Sequence, residues 1–311
     1  MPVRVVFCGN PAFALSTLNA LIGSPHEVAA VVCSPDKPRG RGRKVQPLPV
    51  KERALEAGIP LFQPVSLKDA AFLEEMQKIA PDCLVVVAFR ILPRELFAMP
   101  RLGSFNVHPS LLPRGRGPAP IRWTLIRGEQ ETGVTIIHLT EKIDGGDILL
   151  QNRVPVEPGE DYGALHNRLS GVGSSMLLQV LDAFQQGNPP PPIAQDESLV
   201  TKAPKLTAND FVLDWTLPAD DILNRIRAFS PEPGAMTFCN GMRFKILSAI
   251  VSNSDERLTA GQLWHEDGRT LRVGTGTGTI CLNIVQPEGK KPMAAADFLR
   301  GRPKLPIRLG E

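Results

Sequence analysis

Residues 82–89 read DCLVVVAF. After Asp82 the stretch is almost unbroken apolar chain, with three consecutive β-branched residues in Val85, Val86 and Val87. A strand wet on one face would alternate, whereas a parallel strand covered on both faces reads as a continuous run. The stretch therefore predicts a central parallel strand. Its surroundings agree: VRVVFCG (3–9) and EVAAVVCS (27–34) are further short apolar runs. Between the runs lie FALSTLNALI (13–22), VKERALEAG (50–58) and LKDAAFLEEMQKIA (67–80), all with helical spacing. Strand and helix alternate in this way to about residue 110, the pattern of a doubly wound α/β sheet. Ligands bind such sheets beyond the carboxyl ends of the strands.

GSFNVH (103–108) is the next strand, and it ends on chemistry. Asn106 and His108 are two apart, so in a strand both side chains project from one face. Pro109, Pro113, Pro118 and Pro120 then keep the following loop out of helix, leaving the strand end open. An amide and an imidazole side by side can both donate to one developing oxyanion. A carboxylate to orient the imidazole is the missing part. EKIDGGDILL (141–150) offers two: Asp144, before two glycines that permit a sharp turn, and Asp147, at the start of an apolar segment. His138, inside TIIHLT, reads as a structural strand residue.

Charge is close to neutral overall, at +3, but unevenly placed. PDKPRGRGRKVQPLPVK (35–51) carries Lys37, Arg39, Arg41, Arg43, Lys44 and Lys51 with no acid between Asp36 and Glu52. Glycine and proline punctuation excludes a charged helix face. A basic loop near the strand ends suits a phosphate-rich ligand. Other classes are excluded. The five cysteines are dispersed and form no C-x-x-C pair, so neither a disulfide framework nor a metal site is expected, and Cys8, Cys33 and Cys83 read as small buried hydrophobes. VGTGTGTI (273–280) and FCGNPAF (7–13) lack the P-loop and dinucleotide fingerprints. No apolar run is long enough for a membrane span, and a cytoplasmic location is expected.

GVTIIHLT (133–140) predicts a strand and DYGALHNRLSGVGSSMLLQVLDAFQQG (161–187) a long helix with a glycine interruption. NPPPPIAQDESLV (188–200) reads as an extended connector. Beyond it the texture becomes β: MTFCNGMRFKILSAIV (236–251) holds two strands around Asn240-Gly241, a strong hairpin signal. Three segments are expected: 1–188 as an α/β domain, 189–205 as a linker, and 206–311 as a small, mostly β domain.

The residues together resemble a known family. FCGNPAFA, the 35–51 loop, FQPVSLKD, NVHPSLLPRGRGPAPI, ETGVTI, IDGGDIL and RIRAFSPEPGA occur in the order found in the methionyl-tRNA formyltransferase family, over essentially the full chain. The resemblance implies a Rossmann-like catalytic domain over 1–188, an OB-like tRNA-binding domain over 206–311, and formyl transfer from 10-formyltetrahydrofolate to methionine on initiator tRNA, without a metal. It implies a catalytic trio of Asn106, His108 and Asp144, thereby choosing Asp144 over Asp147. Folate and substrate contacts would map to Phe89, Arg90, Ile91, Leu92, Ser110, Leu111, Leu112, Pro113 and Gly117. Many members have A-Y-G and one more residue before I-L-P; VAFRILP (87–93) is one residue shorter, a form similar to that of related folate enzymes. For tRNA the resemblance implies Lys37, Arg39, Arg41, Arg43 and Lys44. Lys205, Arg243, Lys245, Lys290 and Lys291 are basic candidates on the C-terminal domain. A monomer with no obligate protein partner is expected.

Overall fold

DCLVVVAF forms the strand its composition demands: Cys83–Val87 is buried at every position and has a parallel neighbour on each side. The computed structural model describes residues 1–39, 44–252, 258–265, 268–301 and 308–310. Through residue 185 the elements are β1 (Arg4–Gly9), α1 (Ala12–Ile22), β2 (Glu27–Val32), β3 (Lys37–Arg39), β4 (Lys44–Gln46), α2 (Pro49–Glu56), β5 (Leu61–Phe62), α3 (Ala70–Ile79), β6 (Cys83–Val87), α4 (Arg94–Phe97), β7 (Ser104–His108), α5 (Pro120–Ile126), β8 (Glu131–His138), β9 (Ile148–Pro155) and α6 (Tyr162–Gln185). One seven-stranded sheet runs β5-β2-β1-β6-β7-β8-β9. Its first five strands are parallel, and β8 runs antiparallel to β7. The chain winds outward from β1 through β2, then crosses back to β6. Gly9 pairs with Val87, so β1 and β6 end level, and the carboxyl edge of the sheet lies there.

Register decides which side chains share a face. Cys8 pairs with Val86 and Val86 with Asn106, so these three lie on one face of adjacent parallel strands. Cys8 and Val86 join Phe72, Met76, Leu92 and Leu96 in an apolar cluster beneath α3 and α4. Phe105 and Val107 take the other face, against α6. The Phe105 ring lies 5.3 Å from that of Phe184. A Cβ on Gly173 would stand 2.6 Å from Val107 Cγ1. The glycines expected to interrupt α6 therefore do not break it, and Gly173 lets the helix seat closely on the sheet. Phe7 and Phe105 are fully buried, each contributing about 1.5–3 kcal/mol relative to an exposed ring.

The chain divides into two compact units. The first holds residues 1–120, 132–154 and 166–204; the second holds 121–131, 155–165 and 205–311. Two points differ from the expected contiguous segments. Of the expected linker 189–205, residues 189–204 belong to the first unit, where Ile193 pairs with Ile148 and Lys202 with Arg116. Segments 121–131 and 155–165 belong to the second. There the Arg122 guanidinium stacks 3.7 Å from the Tyr162 ring centre and donates to the carbonyls of Ala228 and Glu232. Burial in that setting lowers the pKa of Arg122.

The rest of the second unit comprises α7 (Ala219–Phe229), β10 (Ala235–Cys239), β11 (Met242–Ser252), β12 (Leu263–Trp264), β13 (Leu271–Gly274), β14 (Thr279–Pro287), β15 (Met293–Ala294) and α8 (Ala295–Arg300). Its strands form an antiparallel sheet, β10-β11-β14-β13-β12, with β15 added to β14. Asn240 and Gly241 both take positive φ, 52° and 74°, between the paired ends Cys239 and Met242, as a two-residue hairpin of type I′ requires. The VGTGTGTI run is likewise a strand turn, from β13 into β14. All five cysteines are free, and burial raises the thiol pKa of each.

Candidate active site

β7 delivers Asn106 and His108 to the carboxyl edge on one face, as a strand spacing of two dictates. The proline loop 109–120 then folds back over the strand end. His108 is 4% exposed, and its Nε2 lies 2.9 Å from the carbonyl oxygen of Gly115. A carbonyl only accepts, so Nε2 carries a proton in this contact and the ring presents Nδ1 on its other side. That nitrogen stands 3.7 Å from Asp144 Oδ1. The Asn106 amide donates to the same oxygen over a long 3.5 Å. Asp144 Oδ2 accepts the Gly117 N–H at 2.8 Å. One carboxylate thus joins both strand-borne groups to the backbone of the proline loop.

Asp144 reaches this position at a conformational cost. Its φ is +50°, a left-handed setting worth about 1–3 kcal/mol of strain in a non-glycine residue, though aspartate tolerates it better than most. Gly146 allows the loop to press against the end of β8: a Cβ there would stand 1.8 Å from His138 O. Gly117 takes φ +125°, and its Cβ would stand 2.6 Å from Ala203 O. Asp147 does not enter the trio. Its carbonyl accepts the N–H of His138, and its charge acts on the His138 ring, whose pKa burial lowers. His138 packs against Phe105 and Phe184.

Side chains that spacing did not single out build the rest of the site. Thr135 donates its hydroxyl to Ser110 O at 2.6 Å and accepts from the N–H of Leu112. Gln151 donates to Leu112 O and to Thr135 Oγ1. The Gly115 N–H donates to Thr201 Oγ1, and Arg116 exchanges backbone hydrogen bonds with Thr201 and Ala203. The Gln195 amide donates to the carbonyls of Asp144, at 2.9 Å, and Gly146, at 2.7 Å. Its oxygen accepts from Nε and Nη2 of Arg116. Glu197 pairs with Arg116 and, at 2.5 Å, with Lys142. Hydrogen bonds from Arg116 and then Lys142 pull its carboxyl from 4.5 down to about 2.

The expected folate residues are placed unequally. Ser110 and Leu112 are buried, and the Ser110 hydroxyl donates to Arg114 O, so these side chains shape the loop from within. Leu111 lies against Gly133, where a Cβ would come within 2.5 Å of Leu111 Cδ2. Pro113 follows a cis bond from Leu112. Phe89 and Leu92 pack into the α3–α4 cluster, while Ile91 is 75% exposed. Arg90 donates to the carbonyls of Val65 and Pro64, bracing the neighbouring turn, and its buried Nε has no hydrogen-bond partner among the described residues.

The basic candidates are also distinguishable. Lys37 is exposed at the foot of a two-stranded ribbon in which Arg39 pairs with Lys44 by backbone register. The ribbon's neck is closed by Lys51 and Asp36 at 2.5 Å, with Gln63 donating to Asp36 and to Ser34 O. Arg41 and Arg43 lie outside the described residues. Arg243 is engaged by Glu288 and Lys245 by Pro233 O, whereas Lys205, Lys290 and Lys291 are exposed. Among the described residues no cluster of acids, histidines or cysteines could hold a metal, and no helix is long and apolar enough to cross a membrane.

Comparison with known proteins agrees with this architecture. The family pattern described as formyl transferase matches residues 3–181, and that of the formyl transferase C-terminal domain matches 205–303. A methionyl-tRNA formyltransferase of Syntrophus aciditrophicus is 45% identical over 303 residues, covering 96% of each chain. One from Moorella thermoacetica is 43% identical over 305 residues, covering 98% of each. Among solved structures, HypX from Aquifex aeolicus, in complex with tetrahydrofolic acid, superposes with a TM-score of 0.67 at 19% identity. That match covers 96% of this chain and 47% of the HypX chain, and it speaks for the fold. Sequence order, fold and relatives converge: the chain belongs to the methionyl-tRNA formyltransferase family.

Proposed function

We propose that the chain transfers a formyl group from 10-formyltetrahydrofolate to the α-amino group of methionine on initiator tRNA, acting as a monomer in the cytoplasm. The observation that carries the chemistry is the convergence of Asn106, His108 and Asp144 at the carboxyl edge of the sheet. The donor supplies a formyl carbon on nitrogen, and transfer to an amine places negative charge on the formyl oxygen as the new C–N bond forms. Asn106 donates its amide to that oxygen. His108, anchored through Nε2 by Gly115 O, works through Nδ1, which supplies a second N–H when protonated. Asp144 faces Nδ1 and takes the proton leaving the amine, directly or through water, for return to the departing donor nitrogen.

On this reading the donor's flat, hydrogen-bonding heterocycle lies beside the trio, past the end of β6. Ala88 turns the backbone at φ +47° past the end of β6, and the exposed Ile91 follows it. Loop 109–120, kept irregular by its prolines, meets the trio through Gly115 O and the Gly117 N–H. Lys37, Arg39, Arg41, Arg43 and Lys44 form the basic run that recognises the tRNA phosphates, with Lys205, Lys290 and Lys291 adding charge from the second unit. The test is formyl transfer from 10-formyltetrahydrofolate to methionyl initiator tRNA, run beside uncharged tRNA and small amines. Transfer to the charged tRNA alone is expected. Transfer to small amines with none to the charged tRNA would refute the acceptor assignment.

A further inference from the structure

Asp144 holds a left-handed conformation in a loop that is exposed on both sides, at Ile143 and Asp147. Something must fix it. Its side chain cannot do so alone, because the same carboxylate has to remain available to His108 and Asn106. The carbonyls of Asp144 and Gly146 are both gripped by one amide, that of Gln195, 51 residues further along the chain. The same side chain accepts two hydrogen bonds from Arg116, a residue of the proline loop only 8% exposed. Gln195 therefore uses its donors on one half of the site and its acceptor on the other.

We propose that Gln195 is a positioning residue for formyl transfer. It sets the place of the Asp144 carboxylate relative to His108 by tying the 142–146 turn to Arg116, and it rests on the formyl-transfer reading above. Only a primary amide satisfies the set of partners. A carboxylate at this position would keep the Arg116 contacts and lose both donations, facing two carbonyl oxygens with an acceptor. Glu197 is a weaker second arm, exposed and linking Arg116 to Lys142. It leaves the carbonyls of Asp144 and Gly146 to Gln195. The returning segment 193–203, which looks like a connector in sequence, is thus part of the catalytic framework.

The structure contains its own reporter. The Gly117 N–H donates to Asp144 Oδ2 at 2.8 Å, so its hydrogen-exchange rate reads whether the carboxylate stays in place. Two variants of the full chain, Gln195→Glu and Gln195→Ala, are measured for kcat, for the KM toward the formyl donor, and for amide exchange. Displacing a reacting group by about 1 Å costs up to roughly 100-fold, so Gln195→Glu should lower kcat about 10- to 100-fold with KM for the donor little changed. Gly117 exchange should accelerate by about tenfold or more as its hydrogen bond opens more often. Val85, in the core of β6, should exchange as in the wild type, which separates local release from general unfolding. A kcat close to wild type in both variants, or a fall in kcat with Gly117 exchange unchanged, overturns the proposal. A wild-type chain inactive in formyl transfer would refute the function, while Gly117 exchange in the variants would still decide the positioning.

Discussion

Replacing Asn106 by alanine separates a folding role from a catalytic one, because the two predict very different magnitudes. In the resting structure the Asn106 amide makes a 3.5 Å contact with Asp144 Oδ1, beyond the usual range of about 2.7–3.2 Å. Its loss should cost at most the low end of the roughly 0.5–1.5 kcal/mol that a hydrogen bond contributes. Asp144 keeps the Gly117 N–H and the Gln195 grip, so the loop stays closed. A deficit of that size lowers Tm by only about 2–4 °C per kcal/mol in a domain of this size. As an oxyanion donor, in contrast, Asn106 is worth about 10²–10³ in kcat, or roughly 2.7–4 kcal/mol in the transition state. The assay is single-turnover formyl transfer to methionyl initiator tRNA, with tetrahydrofolate binding measured on the same preparation. The expected result is a kcat lower by two to three orders of magnitude, on the order of one oxyanion donor, with tetrahydrofolate affinity and Tm nearly unchanged. A variant that keeps kcat within about fivefold of wild type would refute the oxyanion role, since no donor of that kind is so dispensable.

Gly117→Ala forces a Cβ to within 2.6 Å of Ala203 O at φ +125°, so it should destabilise the first unit by about 1–3 kcal/mol. Thermal denaturation checks it, and an unchanged Tm would refute the close seating of Gly117 on Ala203. Neutralising Arg39, Arg41 and Lys44 together should raise KM for the charged tRNA and flatten its salt dependence, lowering the log–log slope by about 0.7–0.9 for each phosphate no longer neutralised. Donor affinity should be unaffected; a matching loss of tetrahydrofolate binding would place the basic run at the wrong ligand. Glu197 titrates near 2 in the folded chain against an ordinary 4.5, so its support for Arg116 and Lys142 is complete above pH 4.5 and is lost as pH falls toward 2. Amide exchange along 195–203, corrected for intrinsic rates, should therefore rise across that window in the wild type, and Glu197→Gln should abolish the step.

What the sequence discloses and what it hides divide along contact range. The strand at 83–87, the shared face of Asn106 and His108 and the Asn240-Gly241 turn rest on periods of two and on local backbone preference, so they can be read in a few residues. Asp144 is different. Asp144 is the first candidate in the sequence and Asp147, more like a strand-flanking residue, competes with it until the family pattern chooses; in the fold a positive φ aims Asp144 inward and backbone pairing with His138 commits Asp147. Gln195, Arg116 and Thr201 are illegible for a stronger reason. Their side-chain partners lie 49 to 86 residues away, and no local pattern records a contact closed by the return of the chain. The same holds for segments 121–131 and 155–165, assigned to the second unit by Arg122 and its neighbours rather than by any shift in composition. The proline run 189–192 illustrates the consequence. Composition alone makes it a spacer, and a spacer could be lengthened freely. In the fold it delivers residues 193–203 to the two loops that flank His108. A Gly-Ser insertion placed after Leu199 should therefore impair catalysis by separating Thr201 from Gln195. The same insertion after Gln186, ahead of the prolines, should be tolerated.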